Sequence, residues 1–147
     1  MIGRKDFRTP ADPEDFESFM TRRASPPMDI QVFKSKTQAS IGGVATELTS
    51  IRIKGHNEPP GRERTVRYRI YFIGDAVIPP SRMGDPSYLK DAYRLGSIVA
   101  EIGAPTNGEQ VVVDDTQNVG KAGWYFGVGL NRRGDESEPT PPGKAPW

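Results

Sequence analysis

The sequence predicts a mainly β protein, a β-sandwich preceded by a short helical arm and followed by an extended, Pro-rich tail. Ile and Val number 20 against 4 Leu, and β-branched side chains fit a pleated surface while crowding a helix. The 16 Gly and 14 Pro supply the turns that a stack of short antiparallel strands requires. Residues 65–73 alternate strictly, with Val66, Tyr68, Ile70 and Phe72 on one face and Arg67, Arg69, Tyr71 and Ile73 on the other. A chain of this size buries one modest core.

The order of elements divides the chain into an arm over residues 1–38, a domain over residues 39–138 and a tail over residues 139–147. In the arm, Asp12 is a capping residue and Pro13 suits the first helical position. Glu14 and Asp15 lie at the positive end of the helix dipole, and Arg22 and Arg23 at the other end. Phe16, Phe19 and Met20 share one face of that helix, and Ser25-Pro26-Pro27 ends it. At about eleven residues it is too short to stand alone in water. Its apolar stripe therefore docks, either on its own domain or as a peg in a partner.

Ile30, Val32 and Phe33 mark a short extended segment, and residues 47–54 carry Leu48, Ile51 and Ile53. Residues 56–61, with Asn57, Pro59, Pro60 and Gly61, form the turn into the 65–73 strand. Asp85-Pro86 opens a short helix over residues 86–95, stopped by Gly96. Strands follow at residues 97–102 and 110–113. Residues 123–131 are the most strand-like stretch: Trp124, Phe126, Val128 and Leu130 share one face, and Tyr125, Gly127 and Gly129 the other. The two glycines leave room for a close approach, or mark a bulge. Residues 136–147, with Pro139, Pro141, Pro142 and Pro146, read as polyproline-like chain without a core of its own.

Three stretches give the segment from Val44 to Thr140 a resemblance to fibronectin type III modules. Leu48-Thr49-Ser50-Ile51-Arg52-Ile53 followed by Glu58-Pro59-Pro60 looks like that family's second strand and its proline turn. Tyr68-Arg69-Ile70-Tyr71-Phe72 looks like the third strand. Residues 124–131, then Arg132-Arg133-Gly134-Asp135-Glu136-Ser137-Glu138-Pro139, look like the sixth strand, its turn and the start of the last strand. Gly55 stands where the family usually has Trp. Aligned on Asn131, the family's inward positions fall on Gly123, Tyr125, Gly127 and Gly129, which implies a bulge or a reversed inner face. The resemblance implies a fibronectin- or immunoglobulin-like sandwich. The layout of peg, module and tail resembles small decoration, neck or tail proteins of tailed bacteriophages. It implies a virion component assembled in the host cytoplasm, in contact with other structural subunits and open to homo-oligomerisation within an assembly.

Composition excludes several chemistries. The chain has no Cys and one His, His56, which removes thiolate catalysis, cysteine metal sites and paired-imidazole mechanisms. A net charge of +1 argues against a dedicated polyanion binder. No apolar run is long enough to span a membrane, and the first residues lack the apolar middle of a signal peptide. No nucleophile or phosphate-loop motif is present, so the expectation is a non-enzyme without cofactor or metal. Asp114 and Asp115, with Asp135 and Glu136, are read as turn residues rather than Ca²⁺ ligands. Arg62, Arg64, Arg67 and Arg69 are read as a solvated strand rather than a nucleic-acid surface. Arg133-Gly134-Asp135 is read as a solvated turn rather than an adhesive tripeptide.

The expected partner-binding residues are Phe16, Phe19 and Met20 in the arm and Pro139, Pro141 and Trp147 in the tail, with Trp147 as the anchor. The alternative function is binding of carbohydrate or a host-surface polymer on an exposed platform of Tyr71, Trp124 and Tyr125. Core packing of Trp124 would remove that platform.

Overall fold

A computed structural model describes residues 24–36, 46–57, 61–78, 80–83, 85, 88–89, 92–105 and 107–147. The expected arm helix, with Phe16, Phe19 and Met20, lies outside the described residues. So do Pro59 and Pro60 of the expected turn and Pro86, Ser87, Lys90 and Asp91 of the expected second helix.

Among the described residues seven strands form: β1 (Asp29–Lys36), β2 (Glu47–Lys54), β3 (Arg67–Gly74), β4 (Ser97–Gly103), β5 (Gln110–Asp115), β6 (Gly123–Leu130) and β7 (Gly143–Lys144). They make two antiparallel sheets, ordered β1-β2-β5 and β4-β3-β6-β7. This arrangement is mainly β and compatible with a β-sandwich.

The two periodicities of β3 and β6 set the layers. Tyr68, Ile70 and Phe72 of β3 and Tyr125 of β6 face the other sheet, where they pack with Ile30, Ile51 and Ile53. Tyr71 and Ile73 of β3, with Phe126, Val128 and Leu130 of β6, point the opposite way. There they meet Ile78, Met83, Ala92 and Tyr93 from the long β3–β4 connection, with Tyr88, Leu89 and Trp124 at its margin. The four-stranded sheet is thus covered on both faces, which is why β6 is apolar on both. Among the described residues that connection holds two short 3₁₀ turns, Pro80–Arg82 and Tyr93–Leu95. Asp85 accepts backbone bonds from Tyr88 and Leu89 between them.

β6 pairs with β3 without interruption from Gly123 to Leu130. Neither of the expected departures, a bulge in β6 or a reversed inner face, is present. The bulky alternate face is explained instead by the covering connection. The expected boundaries at residues 38 and 138 also do not separate packing units. β1 is a full strand of the three-stranded sheet, and residues 136–147 run along β6.

Candidate functional site

The described chain begins against the inner face of the four-stranded sheet. Ser25 donates its N–H to Thr65 Oγ1 at 2.8 Å and accepts that hydroxyl's proton at its carbonyl at 2.9 Å, and the pair is buried. Arg62 Nη2 donates to the Ala24 carbonyl at 2.7 Å and reaches the Glu138 carboxylate from both guanidinium nitrogens. This crossing needs Gly129, because a Cβ there would lie 1.9 Å from the Ser25 carbonyl oxygen. At Gly127 the nearest atom, Pro27 Cγ, is 3.1 Å away. The room that the two glycines offer is filled by the chain's own residues 24–28. The Ser25, Arg62 and Gly129 contacts lie at the end of the sheet where β3 begins and β6 ends.

The last segment is an edge strand broken by two bulges. Leu130 bridges Glu136, Ser137 N–H bonds the Gly129 carbonyl, Thr140 N–H the Gly127 carbonyl, and β7 then pairs with Trp124 and Tyr125. From Ser137 to Thr140 three residues cover what β6 covers in two, and the same holds from Thr140 to Gly143. Pro139, Pro141 and Pro142 occupy these extra stretches, where their missing N–H groups cost no ladder bond. Ser137 Oγ and Thr140 Oγ1 accept from the N–H groups of Gly129 and Gly127 at 2.8 and 3.0 Å. The stretch expected to lack a core instead ends with Ala145 3% exposed and Trp147 docked. Trp147 Nε1 donates to Thr49 Oγ1 at 2.7 Å, and Lys34 Nζ lies 4.8 Å from its ring centroid. Of the expected tail contacts, Pro139 is half-buried and Pro141 exposed.

Glu136 is a hub between this strand and the β3–β4 connection. Its carboxylate accepts from Arg69 Nη1 (2.9 Å), Arg94 Nε (3.0 Å), Tyr93 OH (3.2 Å) and, closer still, Tyr71 OH. Burial pushes the Glu136 carboxyl up, but the bonds from Tyr71, Arg94 and Arg69 outweigh it and hold it below its ordinary value. Burial pushes both Tyr71 and Tyr93 up. Arg69 also holds Glu101 at 2.8 Å. A second buried network fixes the opposite end: Tyr125 OH and Asn118 Nδ2 both donate to Asp115 Oδ2 at 2.7 Å.

These positions break up the expected aromatic platform. Tyr125 is fully buried between the sheets, while Tyr71 is buried on the other face of the same sheet with its hydroxyl on Glu136. Trp124 is half-buried against the β3–β4 connection, its Nε1 buried without a hydrogen-bond partner among the described residues. The three rings do not share a surface, because β6 alternates between two buried faces.

The remaining motifs resolve into local pairing. Arg133 donates to both Glu63 oxygens, at 2.7 and 2.9 Å, and to Asp135 at 3.1 Å, across a turn whose Gly134 has a φ of +90°. The tripeptide's cation and carboxylate are therefore bonded to each other. Arg62 and Arg69 of the basic stretch are held in ion pairs. Asp114 accepts from Ser50. His56 packs edge-on to Tyr68, with Nδ1 and the backbone N–H both on its hydroxyl. Among the described residues no group of three or more metal-ligating side chains converges, and no helix is long and apolar enough to cross a membrane. The outer face of β1-β2-β5 carries a shallow polar depression of about 90 Å³ lined by Asp29, Gln31, Arg52, Lys54 and Gln110.

Sequence reasoning missed Thr65, Ser137 and Thr140, and read Glu136 as a turn residue where it is the centre of a hydrogen-bonded hub. Only Thr140, set between Pro139 and Pro141, and Ser137, two residues before Pro139, carried a local signal. Comparison with protein-family models, curated proteins and solved structures gives no match to this chain.

Proposed function

We propose that this chain is a non-catalytic structural module of an assembled particle, a fibronectin type III-like sandwich serving as a decoration, neck or tail-attachment component of a phage virion. The observation that supports it best is that the segment entering the domain and its last strand are pinned at opposite ends of β6. Residues 24–25 are pinned level with Gly129, and Ala145 level with Gly123. Six residues of β6 separate these levels, roughly 20 Å at a strand's rise. A domain braced along the length of β6 in this way has the rigidity that a spacer needs. The strand orders β1-β2-β5 and β4-β3-β6-β7 are consistent with the fibronectin resemblance, and the virion reading rests on the likeness of layout.

In this mechanism the arm buries Phe16, Phe19 and Met20 in a neighbouring subunit. Its root does not yield, because Thr65 and Arg62 hold residues 24 and 25 in place. Ordering an arm costs conformational entropy, which a multivalent assembly offsets through high effective concentration. The test is sedimentation of a lysate of the producing cells, probed with an antibody against the purified chain. Cosedimentation with particles, and immunogold labelling of them, is expected. Recovery solely in the slowly sedimenting soluble fraction refutes the reading.

A further inference from the structure

Residues 139–147 are attached to their own domain in an unusual way. Their regular pairing is two residues long, Trp124 with Lys144 and Tyr125 with Gly143. Immediately before them the chain is locked, with Glu136 in its four-way hub and Glu138 on Arg62. Between lock and ladder lie Pro139, Pro141 and Pro142, which keep that stretch extended in whichever direction it leaves.

From the ladder to the last residue, the inward positions run small, small, large: Gly143, Ala145 and Trp147. Gly143 sits where a Cβ would be 2.9 Å from Val32 Cγ2. Ala145 joins the inter-sheet core, and Trp147 closes its end over Thr49 and Lys34. The walls of this recess come from β1, β2 and β6, so it is built by elements that do not depend on the segment that fills it.

We propose that this recess accepts residues 139–147 of a second copy as readily as the chain's own, so that neighbouring copies join by exchanging their last strand. This rests on the assembly reading above and supplies a partner for Trp147, the anchor of the tail. An exchanged strand makes the same contacts as a closed one, so the balance is set by association entropy, which crowding within a particle offsets. Leaving home breaks the two-residue ladder and the bonds of Thr140 to Gly127, Ala145 to Gly123 and Trp147 to Thr49, all remade in the neighbour, and leaves the hub intact. Between the lock at Glu138 and the ladder at Gly143 lie four residues, which at about 3.1 Å each span roughly 12 Å, so exchange joins copies whose β6 edges lie side by side.

The chain has no native cysteine, which makes a trap unambiguous. The double variant Trp124→Cys/Lys144→Cys places thiols on directly opposed residues. The full chain is incubated at about 1 mM, the effective concentration a short linker gives, then oxidised and run without reductant. Covalent dimer several-fold above that of either single variant is expected. A parallel test guards against misfolding of the variant. Unmodified light and isotopically heavy chains are mixed and treated with a lysine cross-linker, and mixed light–heavy Lys34–Lys144 pairs are expected. Internal disulfides alone, together with only light–light and heavy–heavy pairs, overturn the exchange. If that happens while the antibody still labels particles, the structural reading stands without it. Mixed pairs from a chain found only in the soluble fraction would separate the two in the opposite sense.

Discussion

Gly129→Ala isolates the anchoring of the chain's entry into the sheet. The new Cβ would stand 1.9 Å from the Ser25 carbonyl oxygen, 2.8 Å from its carbon and 3.0 Å from Thr65 Cγ2. β6 cannot retreat, since it is bonded to β3 on one side and to residues 136–145 on the other. Residues 24–28 must move, and the two buried Ser25–Thr65 hydrogen bonds go with them. At about 1 kcal/mol per bond and about 1–3 kcal/mol for overpacking, the loss is about 3–5 kcal/mol. The smaller unfolded-state entropy of Ala returns about 0.4–1 kcal/mol. The net expectation is a destabilisation of about 2–4.5 kcal/mol. Gly127→Ala is the matched control, on the same strand and face, where Pro27 Cγ at 3.1 Å has only to shift slightly. It should stay within about 1 kcal/mol of wild type. Urea unfolding followed by tryptophan fluorescence measures both. Amide exchange at Ser25 should accelerate in Gly129→Ala alone. Equal midpoints for the two variants would refute the reasoning.

Four further outcomes follow from the side-chain contacts. Glu136 and Glu138 both sit below the ordinary carboxyl value in the fold, despite burial that pushes each up, because Tyr71, Arg94 and Arg69 hold the first and Arg62 the second. Their stabilisation is complete above the unfolded value of about 4.3 and is lost as pH falls through the lowered folded values. Thermal stability should therefore drop on acidification below about pH 4.5. Glu136→Gln should lose about 2 kcal/mol at neutral pH and show a shallower acid slope. Tyr125→Phe removes a donor from buried Asp115 and should cost about 1.5–3 kcal/mol in urea unfolding. Trp147→Ala strips a half-buried ring and its bond to Thr49 and should cost about 2 kcal/mol, half of a full core truncation, with faster amide exchange at Ala145.

Strand identity was legible in the sequence where the two-residue period was strong. Tyr68, Ile70 and Phe72 face the core as their alternation requires, and β6 extends over nearly the expected residues. The pair of glycines on β6 correctly signalled a close approach, though not that residues 24–28 make it. The β3–β4 connection hid its role because its apolar residues, Ile78, Met83, Tyr88, Leu89 and Tyr93, follow neither period. They become a core only once the outer face of β3 and β6 exists to receive them. The last strand was obscured by its own prolines, which in most sheets would exclude a strand. Here bulges absorb them, and Ser137 and Thr140 replace ladder acceptors with hydroxyls. The Glu136 hub was beyond local reading, since its partners lie 42 to 67 residues away in the chain.

The most direct test of the spacer account is limited proteolysis of the chain free and in particles, with fragments weighed by mass spectrometry. The account predicts that free chain is trimmed to a resistant fragment beginning near Ala24 and retaining Trp147, and that residues 1–23 become protected in the particle. Equal protection of residues 1–23 in the free chain would place the arm on its own domain and contradict a peg seated in a neighbour.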